Sequence, residues 1–353
     1  MGDSATVPQA VREAWQGRIE RYSGLPILEL CQVTGRRIVV QLPFAAAEYA
    51  PLLRQELMMA LGPAGETWQV EVTWHVPAPT PRAGLTPLAG ITHVVAIASG
   101  KGGVGKSTVA VNLAAALHRE GAQVGILDAD IYGPSQGRLL GFDGRATSSD
   151  GRQLDPVMRH GMASMSIAYL VERDTAMIWR GPMVTQALQQ MLRDTAWGRL
   201  DYLLIDLPPG TGDIQLTLAQ RVPLSGVVGV TTPQELALDD ARRAMAMFGQ
   251  VSVPLLGIVE NMAFHICPRC GLEEDLFGHG GGARLAQELG IPLLGQLPLV
   301  KRIQELSEQG LPMVLAEPQH SATTAYLEVA RRMGAMLAGA PAHTLPEIII
   351  SDD

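Results

Sequence analysis

Residues 100–108 read GKGGVGKST, and this stretch decides the fold of the chain. It fits the pattern G-x-x-x-x-G-K-[ST], in which glycines let backbone N–H groups close around phosphate oxygens. In such a loop Lys106 reaches the β- and γ-phosphates, and the Ser107 hydroxyl binds Mg²⁺. The apolar run 94–98 precedes the loop, and residues 109–119 follow it with apolar side chains at helical spacing. The sequence therefore predicts a strand, a phosphate-binding loop and a helix, in that order.

Beyond the loop, short apolar runs alternate with helical patterns throughout residues 93–340. This alternation predicts an α/β fold, with a mostly parallel, twisted sheet and helices on both faces, for this part of the chain. A proline- and glycine-rich stretch, residues 77–92, precedes it and is expected to be a linker. Residues 341–353 are expected to form a flexible tail.

Residues 1–76 have a different pattern, which predicts a small α+β domain. The predicted elements are a helix over residues 10–22, strands over 27–33 and 37–42, a helix over 49–61 and a strand over 68–76. We expect the linker to let this first unit move relative to the α/β domain.

The composition indicates a folded protein and disfavours some partners. The 353 residues are 47% hydrophobic and 18% charged, which is enough apolar material for a large core. The net charge of −8 and the pI near 5.5 disfavour nucleic acid as a partner. The sequence shows neither an apolar run long enough to span a bilayer nor an N-terminal signal core. We therefore expect a cytoplasmic protein without a membrane partner.

Two segments with aspartates follow apolar runs, as a nucleotide site requires. Asp128 and Asp130 lie in DADIYGPS, and Asp206 opens DLPPGTGD. An aspartate at the end of such a strand orders the water molecules around Mg²⁺ in phosphoryl-transfer sites. Aspartate at this position is also a common helix cap or turn residue. The phosphate-binding loop in the same chain favours the nucleotide role for both segments.

Two of the three cysteines, Cys267 and Cys270, form a CxxC pair. Two thiolates at this spacing can bind one metal ion or one edge of a cluster, although either kind of site usually has four ligands. A zinc site that includes His265 and His279 is one alternative, and a thioredoxin-like redox pair is another. A two-fold dimer with the pairs at its axis would bring four thiolates together. Cys31 lies on a predicted strand and is expected to be a small buried residue.

These motifs resemble one class of ATPases. A second lysine, Lys101, follows the first glycine of the loop, which is similar to the deviant Walker A loop of the MinD/ParA/nitrogenase-iron-protein class of P-loop NTPases. DADIYGPS, DLPPGTGD, TTPQE and the string around CPRC closely resemble the Mrp/ApbC-type branch of this class, the iron–sulfur cluster carriers. The resemblance covers most of residues 93–336.

The resemblance implies a homodimer that binds ATP and Mg²⁺, hydrolyses ATP slowly and carries a labile [4Fe–4S] cluster. The partners that it implies are apo iron–sulfur proteins, which receive the cluster, and assembly factors. It implies that Lys101 reaches the partner subunit's nucleotide, that Asp130 lies near the attacking water and that the Gly210 backbone senses the γ-phosphate. Asn261, in VENM, would recognise adenine, or would be an ordinary loop asparagine. Cys267 and Cys270 of two subunits would bridge the cluster.

The residues that carry these expected roles fall into three groups. The catalytic group is Lys101, Lys106, Asp130 and Asp206. The nucleotide-binding group is Gly100, Lys101, Gly102, Gly103, Val104, Gly105, Lys106, Ser107, Thr108, Asp128, Gly210 and Asn261. The metal-binding group is Cys267 and Cys270 for iron–sulfur and Ser107 for Mg²⁺.

Two other functions stay open. A MinD/ParA-like switch would dimerise on a surface, but the chain end LPEIIISDD lacks the basic amphipathic helix that membrane association uses. A zinc-stabilised ATPase scaffold would hold no cluster. The first unit resembles the small domain that often precedes these ATPases but lacks its acidic motif and cysteine, so we expect a docking or structural role for it.

Overall fold

The computed structural model describes residues 7–79, 84–170, 181–267 and 269–339. The expected tail and the centre of the expected linker, residues 80–83, lie outside these ranges, as does residue 268 within the CxxC pair. Among the described helices, none combines the length and the apolar character needed to cross a membrane.

The first unit is a three-stranded sheet and two helices that share one apolar core. Its elements are α1 (Gln9–Trp15), β1 (Cys31–Thr34), β2 (Arg37–Leu42), α2 (Ala50–Leu61) and β3 (Gln69–Trp74). β1 pairs antiparallel with β2, and β3 pairs parallel with β2. Alternate residues of β2 are fully buried, as the period of a half-buried strand requires.

Two boundaries in this unit differ from the prediction by more than two residues. The first helix ends at Trp15 rather than at Tyr22, because Gln16 adopts φ and ψ angles of −59° and 129°, which are not helical. Residues 27–30 form a short 3₁₀ helix, so β1 begins at Cys31 instead of Ile27. Pro26, which lacks a backbone N–H, precedes this turn.

The rest of the described chain is built on an eight-stranded sheet with a small separate hairpin. The strands are β4 (Ile91–Ala98), β5 (Val124–Asp128), β6 (Val157–Arg159), β7 (Met162–Ser166), β8 (Leu200–Asp206), β9 (Gly226–Thr231), β10 (Leu255–Glu260), β11 (His265–Ile266), β12 (Glu273–Glu274) and β13 (Leu293–Gln296). The central sheet has the order β13-β10-β9-β4-β8-β5-β7-β6. Its neighbouring strands are parallel except for the pair β6–β7.

Helices cover both faces of this sheet. They are α3 (Lys106–Arg119), α4 (Gln136–Leu139), α5 (Gly181–Asp194), α6 (Asp213–Arg221), α7 (Glu235–Gln250), α8 (Gly281–Leu289), α9 (Lys301–Glu308), α10 (Met313–Ala316) and α11 (Ser321–Leu337). Val95 and Ile97 of β4 belong to one apolar core with α3 and α11, whereas Val94 and Ala96 belong to a second core with α5, α7 and α8. The predicted fold class, a mostly parallel α/β sheet with helices on both faces, is confirmed.

The parallel strands bring the predicted nucleotide residues to one edge of the sheet. β4 ends at Ala98, just before the phosphate-binding loop, and β5 and β8 end at Asp128 and Asp206. β10 ends at Glu260, which is followed by Asn261. Ligands of open parallel sheets bind at this carboxyl edge.

A buried network fastens the first unit to the large sheet domain. Arg331 of α11 donates from Nε to Glu120 at the end of α3 (2.7 Å) and from Nη1 to the Tyr22 hydroxyl (3.2 Å). Glu120 is fully buried, and the guanidinium of Arg331 also lies 5.3 Å from the centre of the Tyr49 ring. The Arg331–Glu120 pair lies within the sheet domain, and Tyr22 and Tyr49 of the first unit pack against it. The two units therefore pack against each other in the structure, and movement of the first unit about the linker stays a prediction.

Replacing Arg331 tests the buried network on which the first unit packs. Arg331→Ala leaves Glu120 buried without its cation, so we expect the free energy of unfolding in urea to fall by about 3–5 kcal/mol. Arg21 and Glu328 form an exposed pair across the same interface, with 3.4 Å between Nη2 and Oε1. Arg21→Ala should therefore cost less than about 1 kcal/mol. Equal losses of unfolding free energy in the two variants would show that burial does not increase the contribution of the Arg331–Glu120 pair.

Candidate functional site

The phosphate-binding loop connects β4 to α3 and packs tightly on two neighbouring segments. A Cβ atom on Gly100 would lie 2.0 Å from the backbone carbonyl carbon of Asp240 in α7. Gly105 has a φ of +81°, and a Cβ there would lie 2.3 Å from Nδ2 of Asn261. Both positions therefore require glycine. This packing holds the loop at the amino end of α3, where unpaired helix N–H groups can bind an anion.

Asn261 and Lys101 both lie at this loop. Asn261 is nearly fully buried and donates from Nδ2 to the Val104 carbonyl (2.8 Å). This bond places Asn261 against the loop, while its contact with adenine stays a prediction. Lys101 is half-buried, and its carbonyl accepts a hydrogen bond from the Ser99 hydroxyl (3.0 Å). Its ammonium forms no ion pair with any residue that the structure describes.

Lys106 and Asp206 form a buried ion pair beside the loop. Asp206 is fully buried and Lys106 is 6% exposed, and the ammonium contacts Oδ1 of Asp206. The same ammonium lies 3.3 Å from the Ser107 hydroxyl oxygen. The lysine predicted to bind phosphate is thus paired with the carboxylate predicted to order the waters of Mg²⁺.

Asp128 is a second fully buried carboxylate next to this pair. It lies in register with Asp206 on the adjacent strand. Its Oδ2 accepts hydrogen bonds from the backbone N–H groups of Ser135 (2.9 Å) and Gln136 (3.0 Å) and from the Ser166 hydroxyl (3.1 Å). Burial, with a further contribution from the charge of Asp206, raises the pKa of Asp128 to about 7. A divalent cation nearby would favour the ionised form of both carboxylates.

A cavity of about 580 Å³ lies between the segments that follow β5 and β8. Asp130, Tyr132 and Gly210 line it. Burial raises the pKa of Asp130, although the charge of Lys106 opposes this shift. The Gly210 N–H donates to the carbonyl of Ser99, which immediately precedes the loop (2.9 Å). The structure therefore brings Asp130 and Gly210 to one cavity beside the loop.

One residue that the sequence interpretation missed lies between these groups. Gln136 is fully buried and donates from Nε2 to Oδ2 of Asp206 (2.8 Å) and to the Ser107 carbonyl (3.1 Å). Its Oε1 and the Ser135 hydroxyl oxygen are buried without a hydrogen-bond partner in the described part of the chain. Such orphaned groups cost about 1–3 kcal/mol each. The only sequence signal was the position of Gln136 immediately after DADIYGPS.

These oxygen atoms fit a Mg²⁺ site. Mg²⁺ prefers oxygen ligands, keeps several waters and uses only one or two carboxylates together with substrate phosphates. Asp128, Asp206 and the Ser107 hydroxyl supply oxygen ligands or hydrogen bonds to such waters. The two orphaned oxygens, on Ser135 and Gln136, could accept from water molecules held there.

The cysteine pair lies in the turn of the β11–β12 hairpin, which follows β10. The Cys267 N–H donates to the Leu272 carbonyl (2.8 Å), and the Gly271 N–H donates to the Cys267 carbonyl (2.9 Å). Cys270 is exposed, Cys267 is half-buried, and both are free thiols. Hydrogen bonds from the backbone N–H groups of Arg269 and Cys270 lower the pKa of Cys267. The hairpin therefore presents two accessible thiols together.

The nearby histidines do not complete a metal site with these thiols. Nδ1 of His265 lies 3.1 Å from the Leu299 carbonyl oxygen, and Nδ1 of His279 lies 3.0 Å from a carboxylate oxygen of Asp275. Within the described ranges there is no cluster of three or more histidine, cysteine or acidic side chains that could hold a metal ion. Cys31 is buried in the first unit, and burial raises the pKa of its thiol to about 12.

Comparison with known proteins agrees with this geometry. Residues 90–334 match the family model ParA, described as the NUBPL iron-transfer P-loop NTPase. The chain belongs to this family. The iron-sulfur cluster carrier protein of Salmonella typhimurium is 55% identical over 246 residues, which are 69% of this chain and 67% of that relative. The protein of the same name from Haemophilus influenzae is 48% identical over 304 residues, 85% of this chain and 82% of that relative.

Two solved structures extend the comparison for this NUBPL-type NTPase. A nucleotide-binding protein from Archaeoglobus fulgidus, in complex with ADP and with cobalt, is 40% identical with a TM-score of 0.58. The match covers 66% of this chain and 91% of that one. The cell division ATPase MinD of Pyrococcus furiosus is 22% identical with a TM-score of 0.53, covering 69% and 99% of the two chains. At that identity, MinD shows a shared fold.

The raised pKa of Asp128 has a consequence for stability. The pKa of Asp128 in the folded protein, about 7, exceeds the ordinary value of 3.8. The contribution of Asp128 to the free energy of unfolding is therefore fully present below about pH 4 and is lost as the pH rises through 7. In Asp128→Asn this group cannot ionise. The unfolding free energy of the wild type, measured in urea without nucleotide, should therefore fall relative to that of Asp128→Asn as the pH rises over this window. The slope of the difference is at most about 1.4 kcal/mol per pH unit, and a difference that stays constant with pH would contradict the assignment.

Proposed function

We propose that this protein binds and hydrolyses ATP and carries an iron–sulfur cluster to apo-proteins. The observation that carries the proposal is a shared sheet edge. The phosphate-binding loop follows β4, the hairpin with Cys267 and Cys270 follows β10, and only β9 lies between these two parallel strands. Membership of an iron-transfer NTPase family, and relatives named iron-sulfur cluster carrier protein, support the same function.

ATP binding uses the loop from Gly100 to Thr108. Backbone N–H groups of the loop and the Lys106 ammonium bind the phosphates, and Asn261 recognises the adenine base. Ser107 and Asp206, together with Asp128 on the strand next to Asp206, would hold Mg²⁺ and its waters. Bound Mg²⁺ neutralises charge on the phosphates.

Hydrolysis needs positioned donors rather than a covalent nucleophile. Asp130 lies in the cavity beside the loop and orients the attacking water there. The Gly210 backbone senses the γ-phosphate, and its N–H leaves the Ser99 carbonyl to do so. Lys101, which has no ion-pair partner among the described residues, reaches the nucleotide bound by the other subunit of a homodimer. A site completed only by a second subunit hydrolyses ATP slowly when the subunits are apart.

The cluster is cargo bound by the thiolates of Cys267 and Cys270. Two thiolates are half of the four ligands that a [4Fe–4S] cluster takes, and a two-fold dimer supplies the same pair again. The backbone hydrogen bonds that lower the pKa of Cys267 favour the thiolate, which is the form that binds iron. A cluster shared in this way loses half of its ligands when the dimer opens, so it can be transferred. Free thiols suit a reducing compartment, and we assign the protein to the cytoplasm.

Substitution of one hairpin cysteine tests the cargo site. After anaerobic reconstitution with iron and sulfide, Cys267→Ser should retain only background iron and sulfide, because half of the thiolates at the dimer axis are lost. ATP binding should stay within about twofold of the wild type, since the hairpin lies outside the loop. Cys31→Ala is the control and should keep the cluster, because Cys31 is buried in the first unit.

The same measurement separates the alternatives. Wild-type amounts of iron and sulfide on Cys267→Ser would reject the cargo assignment. Stoichiometric zinc that survives chelation of the wild type would favour a zinc-stabilised scaffold instead.

The role of Lys101 in hydrolysis gives a second test. Lys101→Ala should lower the ATP hydrolysis rate at least about tenfold, because a cation that stabilises the transferring phosphoryl group is lost. ATP binding to the separate subunit should change little. The control is Lys301→Ala, which removes an exposed lysine paired with Glu305 on α9 and should alter neither property. Hydrolysis by Lys101→Ala at the wild-type rate would refute the role across the interface.

A further inference from the structure

We propose that Gln136 is a positioning residue for the Mg²⁺-nucleotide, whose side-chain amide fixes the Asp206 carboxylate relative to the Ser107 backbone. The inference rests on the proposed nucleotide site and adds a residue to it. Gln136 is the first residue of α4, directly after the segment that contains Asp128 and Asp130.

One glutamine joins three parts of the site. Its Nε2 lies 2.8 Å from Oδ2 of Asp206 at the end of β8 and 3.1 Å from the carbonyl oxygen of Ser107 in the first turn of α3. Its backbone N–H donates to Oδ2 of Asp128 at the end of β5 (3.0 Å). A side-chain amide has two N–H donors, so it can serve both acceptors at once.

The orientation of this amide follows from its two partners. Both the Asp206 carboxylate and the Ser107 carbonyl are acceptors, so the reverse orientation would place Oε1 against two other oxygens. The orientation with Nε2 toward them leaves Oε1 buried and without a partner among the described residues. Gln136 thus keeps two bonds to the site while one of its own polar atoms stays unpaired. Packing alone does not require such an arrangement, because an apolar side chain would avoid the unpaired oxygen.

The neutral donor matters because Lys106, the cation that pairs with Asp206, is also the proposed phosphate ligand. Oδ1 of Asp206 contacts Lys106, and Oδ2 accepts from Gln136. When Lys106 binds phosphate, its bond to Asp206 weakens, and the amide of Gln136 still holds the carboxylate in place. A neutral amide does this without competing with Lys106 for the phosphate. The same amide also holds the backbone of Ser107, whose hydroxyl is the proposed Mg²⁺ ligand.

The test compares nucleotide binding with and without Mg²⁺, using a fluorescent ADP analogue and the full-length protein. Gln136→Met keeps the length of the side chain and removes both donors. In EDTA it should bind the analogue within about twofold of the wild type, because the phosphate loop is intact. With Mg²⁺, the wild type should bind the analogue more tightly than in EDTA. In Gln136→Met this increase in affinity should be at least about fivefold smaller, since one charge-assisted hydrogen bond is lost.

A double-mutant cycle shows whether Gln136 acts through Asp206. If it does, adding Gln136→Met to Asp206→Asn should weaken Mg²⁺-dependent binding less than Gln136→Met does alone. The control is Gln304→Met, which removes an exposed amide–carboxylate bond to Glu308 (2.6 Å) on α9 and should bind like the wild type. If Gln136→Met does not fold, as judged by thermal unfolding, Gln136→Asn replaces it with the same expectation, because its amide is one methylene too short.

The outcomes are distinct. A full Mg²⁺ effect in Gln136→Met, or an equal loss with and without Mg²⁺, would overturn the positioning role. Additive losses in the double variant would likewise overturn it, because Gln136 would then act independently of Asp206. Failure of the wild type to bind the analogue under either condition would instead refute the proposed nucleotide site itself.

Discussion

The chemistry at the carboxyl edge of the sheet depends on how one buried lysine is shared. Lys106 faces Asp206, and Asp128 lies on the adjacent strand in register with it. Two buried carboxylates against one ammonium leave an excess of negative charge, which burial makes costly. The raised pKa of Asp128 is the result. Phosphate adds further negative charge and also competes for Lys106, so charge balance alone favours nucleotide binding together with a divalent cation.

Much of this edge could be predicted from the sequence, for a simple reason. The loop from Gly100 to Thr108 is contiguous, and Asp128 and Asp206 each follow directly on an apolar run. In a parallel sheet the ends of such runs lie at one edge, whatever the order of the strands. The cysteine hairpin lies near the same edge, because it follows the carboxyl end of β10. Local patterns and one rule of topology were therefore enough to bring these residues together.

Contacts between distant parts of the chain could not be predicted in this way. Gln136 binds Ser107, 29 residues away, and Asp206, 70 residues away, and neither separation leaves a periodic signal. The pair of Arg331 and Glu120 spans 211 residues. A composition rich in proline and glycine marks a break in the sequence pattern before residue 93, but it says nothing about whether the flanking units pack together. Packing depends on side chains that meet only after both units have folded.

The first unit contacts one end of the helix whose other end follows the phosphate-binding loop, although it does not enter the nucleotide site. The backbone N–H groups of Ala47 and Glu48 donate to the carbonyl and carboxylate of Glu120 (3.0 and 2.9 Å), just beyond the end of α3. Lys106 begins the same helix, whose 14 residues span about 21 Å. Contacts from the first unit thus hold one end of α3, while the other end carries the phosphate-binding loop. Because residues 109–117 of this helix are buried throughout, the helix cannot shift at one end without disturbing the core along its length.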